Sequence, residues 1–212
     1  MGLINELFRP PFAGNDLQES ILRLMNEIKR EQKIPLKMRS PIITSIWKRK
    51  GSKRDLDNDR GIFVLGVLRT ILDKLIYFDS YDEIDAKMSD SNIGARRKRN
   101  IRNHIFIVNG ILNEIKNDKN MSVDLELFDV SKCFDSLWID EVMNDVFEVT
   151  EANDKLSLMY EENTTNFVSI STPIGPTNRQ PINNIEMQGS VLAPIKTSVQ
   201  KKAIIFINTK NL

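Results

Sequence analysis

From Leu17 onward the apolar positions fall at steps of three and four: Leu17, Ile21, Leu24, Met25 and Ile28 share one side of a helical wheel. Asp16 and Glu19 stand at the spacing of a capping box, so the sequence predicts an amphipathic helix over 17–31. Pro35 and Pro41 bracket a connector. Residues 42–47 are β-branched and aromatic and predict a strand, residues 48–59 a polar loop, and residues 60–65 the returning strand of a hairpin. Val67, Leu68, Ile71, Leu72, Leu75 and Ile76 return to helical spacing and predict a second helix over 67–77, after which 79–92 reads as polar and irregular. Ile105, Val108, Leu112 and Ile115 mark one face of a third helix over 102–116. The period then changes to two, because Val123, Leu125 and Leu127 alternate with Asp124, Glu126 and Phe128, and this predicts a half-buried strand ending near Asp129. Short helices over 138–147 and 155–160 follow, then strands over 167–170 and 182–187 separated by the turn-rich 173–178, and a final strand over 201–208.

Composition narrows the classes without choosing among them. A chain of 212 residues is long enough to bury a continuous core, and nine Gly and eight Pro exclude a collagen-like or linker-like polymer. No apolar run approaches the roughly 18 to 20 residues of a membrane span, so we expect a soluble chain without a membrane role. Cys133 is the single cysteine and cannot form an internal disulfide or a structural zinc site. The first residues lack a secretory pattern, and Gly2 lacks the hydroxyl residue at position six of a myristoylation motif, which makes an intracellular setting the expectation, nuclear or cytoplasmic. With one histidine, His104, read as capping or partly buried, and no Ser/His/Asp set, neither a triad hydrolase nor a zinc module has support.

Charge is balanced in total, 30 basic against 29 acidic residues, but polarised along the chain. Residues 29–60 hold eleven Lys/Arg against four acids, and Arg96, Arg97, Lys98, Arg99 and Arg102 form a second basic cluster. Residues 118–162 reverse the sign, with thirteen acids against three lysines. Basic segments beside an acidic one suit an enzyme that handles phosphates and divalent metals, although charge runs also serve as solvated faces.

The most informative segment is Leu127-Phe128-Asp129-Val130-Ser131-Lys132-Cys133-Phe134-Asp135. A carboxylate at the end of a strand leaving an apolar core is held rigidly and can ligate Mg²⁺ through hard oxygen. Read from its neighbours alone, Asp129 is either such a ligand or an N-cap or turn former, and Asp135, just before a new helix, suits the second role. The segment resembles motif A of reverse transcriptases, above all those of LINE-type (non-LTR) retrotransposons. Trp47-Lys48-Arg49-Lys50-Gly51 followed by Asp57-Asn58-Asp59-Arg60-Gly61-Ile62 is similar to that family's fingers hairpin. Asn92-Ile93-Gly94-Ala95-Arg96 is similar to its Gly-Phe-Arg segment, residues 160–177 to the region before motif B, and Glu186-Met187-Gln188-Gly189-Ser190-Val191-Leu192-Ala193-Pro194 to motif B itself. The five segments stand in the family's order over roughly residues 17–196.

The resemblance implies an α+β fold, the fingers and partial palm of a polymerase, with a central antiparallel sheet flanked by helices and a protruding basic hairpin. It divides the chain into an N-terminal helical segment (1–40), a fingers-like region (41–120), a partial palm with motifs A and B (121–196) and a divergent tail (197–212). It implies RNA-templated DNA synthesis by two-metal nucleotidyl transfer, with an RNA template, a DNA primer and deoxynucleoside triphosphates as partners and Mg²⁺, or Mn²⁺, as cofactor. Asp129 would hold the metals with the Val130 carbonyl, and Phe134 would exclude a ribose 2′-hydroxyl, though alone it reads as a core aromatic. Lys50 and Arg60 would meet the triphosphate, or stand as solvated loop charges; Gln188 and Gly189 would lie against nucleotide and template, or form a simple turn. Arg96, Arg97 and Arg99 would contact template backbone, or water.

The sequence departs from the family at Asp59, Gly61, Ala95, Cys133 and Ala193, where an aromatic, Pro, Phe, Ala and Ser are usual. Motif C, Tyr-x-Asp-Asp, does not appear, and residues 195–212 contain no acid. One carboxylate does not hold two Mg²⁺ ions against water, so the expectation is a truncated or partial copy that is catalytically inactive. Two alternatives from other classes stand beside it: a non-catalytic nucleic-acid-binding remnant, and a helical protein-interaction module.

Overall fold

In the computed structural model, residues 14–117, 134, 137–150, 153–164, 166–182 and 186–199 are described. The first helix, α1 (Asn15–Glu31), turns Met25 and Ile28 fully inward, as its three-and-four spacing requires. Its start differs from the expected capping box. The helix begins at Asn15 with Gly14 at the N-cap and no side-chain cap bond, so Asp16 lies inside the first turn, where its charge faces the positive end of the helix dipole. After a 3₁₀ turn at Leu36–Met38, strands β1 (Ile42–Trp47) and β2 (Asp59–Val64) pair antiparallel from Ile42↔Val64 to Trp47↔Asp59, and the predicted hairpin is present.

Helix α2 (Val67–Lys87) runs ten residues beyond its predicted end. The acids between 79 and 85 look like a loop, but Ser80, Tyr81 and Ile84 extend the buried face begun by Leu72 and Ile76, and tertiary burial overrides local polarity. Helix α3 (Ile101–Asn117) buries no residue, and Ile101, Ile105, Phe106 and Ile107 are exposed. Helix α4 (Ile139–Thr150) is two residues longer than expected, and α5 (Asn153–Asn163) extends by two residues at its start and three at its end. They are followed by β3 (Asn166–Thr172), β4 (Gly175–Pro176), β5 (Gln180–Ile182) and the short helix α6 (Ala193–Val199). The strand expected over 182–187 is corrected: β5 covers Gln180–Ile182 and shares only Ile182 with it, Glu186 and Met187 lie in an irregular connection, and 183–185 fall outside the described residues. The strands expected over 123–129 and 201–208 lie outside the described residues.

The described residues thus form an α+β fold of six helices and a five-strand mixed sheet. The expected antiparallel sheet is corrected at one pairing. In the order β2-β1-β3-β4, with β5 also on β3, β1 and β3 run parallel through Ile42↔Ser169 and Ile43↔Ile170. A long crossover through helices separates these two strands in sequence, and such a connection can return a strand in the parallel sense where a tight turn cannot. Apolar burial falls into two clusters. The larger gathers Met25 and Ile28 of α1 with Leu72, Ile76 and Ile84 of α2, Val146 of α4, Met159 of α5 and Ile195 of α6. The smaller, under the sheet, joins Phe63 of β2, Val168 of β3 and Met187. No helix among the described residues is long and apolar enough to cross a membrane.

Candidate nucleic-acid interface

The loop of the β1–β2 hairpin packs Lys48, Arg49, Lys50, Lys53 and Arg54 into seven residues. Its shape is set from within. Asp55 accepts the Asp57 amide at 3.0 Å and the Asn58 side chain at 3.3 Å, while Asn58 also donates to the Ser52 carbonyl at 3.0 Å. Gly51 takes φ +67°, and a Cβ there would lie 2.5 Å from the Asn58 side-chain amide nitrogen, so another residue would be strained and would displace Asn58. Lys48 donates to the Asp57 carbonyl at 2.8 Å, and the Lys53 ammonium stands 4.9 Å from the Trp47 ring centroid. Lys50 and Arg54 project into solvent, as does Arg60 on β2 opposite Ile46. Among the described residues, no ion pair engages Lys50, Arg54 or Arg60.

The Gln188–Gly189 bend is seated on the same strand. The Phe63 amide donates to the Gln188 carbonyl at 2.8 Å, three residues along β2 from Arg60. Gly189 has φ +121°, and a Cβ would fall 2.8 Å from the Phe63 carbonyl oxygen; the close backbone approach that glycine permits is therefore used against β2. The structure brings Gln188, Gly189 and Arg60 to one strand. Phe134 is half-buried, and Asp129 and Val130 lie outside the described residues.

The second basic cluster is placed differently. Arg96 grips Asp85 at 2.8 and 3.3 Å and donates to the Ser89 and Asn92 carbonyls at 2.9 and 3.2 Å, leaving its side chain 7% exposed. That hydrogen-bonded guanidinium holds the Asp85 carboxyl below its ordinary range. The Arg97 guanidinium lies 4.0 Å from the Tyr81 ring centroid and 5.1 Å from that of Phe78, and Arg99 pairs with Asp90 at 3.1 Å. These arginines order the connection between α2 and α3. His104, half-buried, meets the Ser91 carbonyl at 2.9 Å.

Behind the bend lies a charge cluster that sequence reading missed. Arg69 and Asp73 of α2, Glu162 of α5, Glu186 and Lys196 of α6 are all fully buried. Arg69 reaches Asp73 at 2.7 Å and Glu162 at 3.4 Å; Lys196 reaches Glu186 at 3.0 Å and Glu162 at 3.5 Å. Ser190, immediately after Gly189, stands 2.9 Å from Glu162 and 3.2 Å from Asp73. Burial pushes Glu186 up to about 7, against the pull of Lys196, and pushes Asp73 up to about 6, with Glu162 adding to the effect and Arg69 opposing it. Burial would lower Lys196, but Glu162 and Glu186 outweigh it and hold the ammonium above its ordinary value. The available signal was Arg69 and Asp73 at i,i+4 on the same face as Ile76, in the middle of an apolar run.

Among the described residues no group of three or more His, Cys, Asp or Glu side chains could hold a metal ion. The three buried carboxylates already face a guanidinium and an ammonium. No metal-dependent step is derived from them. No family model matches this sequence, and a search of curated proteins found no match.

Proposed function

We propose that this chain is a reverse-transcriptase-like, polymerase-derived protein whose basic β1–β2 hairpin engages single-stranded RNA. One observation carries the reading: the hairpin's exposed cations have no ion-pair partner among the described residues, and the Gln188–Gly189 bend docks on the strand that bears Arg60. In this reading α1 belongs to an N-terminal helical segment, the hairpin with α2 and α3 corresponds to fingers, and α4, α5, β3 to β5 and the start of α6 to part of a palm. The hairpin cations neutralise phosphates, an attraction that needs no base-specific contact and weakens with salt. Trp47, half-buried beside Lys53 in the strand pair next to the loop, offers a π-face there. Asp129 with the Val130 carbonyl would bind Mg²⁺, and Phe134 would stand at the nucleotide sugar. These 212 residues carry one motif-A carboxylate and no Tyr-x-Asp-Asp, so they are expected not to extend a primer with Mg²⁺ or Mn²⁺. DNA synthesis that survives Asp129→Ala would show the metal assignment to be wrong. Anisotropy with a labelled single-stranded RNA tests the broader reading: absence of binding at low salt removes both the polymerase-derived and the remnant versions.

A protein-interaction module is the second reading, and the exposed Ile101, Ile105, Phe106 and Ile107 of α3 favour it. Failure to bind RNA together with self-association or partner capture lost on Phe106→Ser would select it.

A further inference from the structure

We propose that the buried charge cluster is a proton-linked latch: one proton held on Asp73 or Glu186 keeps the Gln188–Gly189 bend closed on β2, and its loss loosens the bend.

Position comes first. The bend is anchored in the cluster at both ends, because Glu186 lies two residues before Gln188 and Ser190 directly follows Gly189. Glu186 meets Lys196 at 3.0 Å and the Asn163 side chain at 3.4 Å, while Ser190 meets Glu162 and Asp73 at 2.9 and 3.2 Å. Between these anchors the bend makes its backbone contact with Phe63. The remaining members sit on packed helices, Arg69 and Asp73 on α2, Glu162 on α5 and Lys196 on α6, whereas Glu186 sits on an irregular connection. Any surplus of charge would therefore be relieved by movement of the segment that carries the bend.

Proton count comes second. Among the described residues three carboxylates face two cations, so these five groups fully ionised carry a net negative charge in a fully buried place, which is costly. The geometry at Ser190 points the same way. Its hydroxyl has one hydrogen and accepts the Leu192 amide at 3.1 Å, yet two carboxylate oxygens stand within bonding distance of it. A single hydrogen shared between both oxygens serves each of them weakly, and a proton on Asp73 would give the second contact a hydrogen of its own. Arg69, Asp73, Glu162, Glu186 and Lys196 are the charged groups that α2, α5, the bend and α6 turn toward one another among the described residues. The upward displacement of Glu186 and Asp73 sets the pH window near neutrality.

The inference is independent of RNA binding and is tested without RNA. Amide hydrogen exchange of the full chain is followed at Phe63 and Ser190 and corrected for intrinsic rates. For a group shifted from 4.5 to about 7, protection is expected to fall about tenfold between about pH 6 and about pH 8. Glu186→Gln leaves the cluster neutral without a proton and should make protection independent of pH; Asp73→Asn gives the same reading if the first variant does not fold. Carboxyl ¹³C shifts of the unmodified chain should show Asp73 or Glu186 titrating near neutrality. Protection that does not change with pH, an unchanged fall in both variants, or Asp73 and Glu186 both titrating in the ordinary carboxylate range would overturn the latch.

Discussion

Replacing Lys196 by Met removes one of the two cations that face Asp73, Glu162 and Glu186 while refilling most of the side-chain volume. The ammonium is fully buried, 3.0 Å from Glu186 and 3.5 Å from Glu162, so its loss leaves surplus negative charge with no route to water short of opening the structure. Removing one partner of a buried pair costs about 3 to 5 kcal/mol, and the near-isosteric change in shape should add less than about 1 kcal/mol. Set against the roughly 5 to 15 kcal/mol that stabilises an ordinary domain, this is a large fraction. Converting Glu186 to Gln in the same chain should return about 2 kcal/mol, because two carboxylates facing one cation carry one surplus charge where the single variant carries two. Urea unfolding followed by circular dichroism, run as a double-mutant cycle, measures both quantities. A single-variant cost under about 1 kcal/mol, or a double variant as unstable as the summed singles, would refute the argument that these groups share one charge balance.

Gly189→Ala combines φ +121° with a Cβ 2.8 Å from the Phe63 carbonyl oxygen, so a loss of about 2 to 4 kcal/mol and faster exchange of the Phe63 amide are expected. Thermal unfolding with site-resolved exchange checks both. Folded Glu186 and Asp73 bind protons more tightly than the unfolded chain, whose ordinary values are 4.5 and 3.8, so stability should fall as pH rises from about 4.5 through about 7; a chemical-denaturation series across that range that rises instead would contradict the sign. Asp85 works in the opposite sense: its carboxyl is held below 3.8, so its contribution is present above that value and should be lost as acid protonates it. Arg96→Gln should remove that acid-side dependence and raise proteolytic nicking between α2 and α3, which a timed limited digest reads. Arg60→Gln should lower RNA affinity without changing the unfolding midpoint, since the side chain is exposed.

Much of the fold was legible because most elements carry a clean period. The hairpin of residues 42–65 and helices α1 and α3 follow directly from β-branched runs and three-and-four spacing. The continuation of α2 was hidden because its second half is acidic on the solvent side, while Tyr81 and Ile84 gain their meaning only from the helices that cover them. The parallel pairing of β1 with β3 could not be read, since it depends on a crossover through several helices. Gln188 and Gly189 could be named from sequence, but their seat on Phe63 could not. The buried cluster is the main omission. Its members are spread from 69 to 196, and only the fold turns five apparently ordinary surface residues into one interior group. The basic run at 96–99 looked equivalent to the hairpin loop in sequence, yet acids and tyrosines distant in the chain engage its arginines.

The central claim is that the β1–β2 hairpin loop binds nucleic acid through its exposed cations. Anisotropy of a labelled single-stranded RNA, titrated across salt concentrations, compares the unmodified chain with Lys50→Gln/Lys53→Gln/Arg54→Gln. Tight binding is expected at low salt, with the dependence of log affinity on log salt made shallower by about 0.7 for each phosphate contact removed, up to about 2 for the triple variant. Equal affinity and equal slope for the two proteins, with both folded, would contradict it.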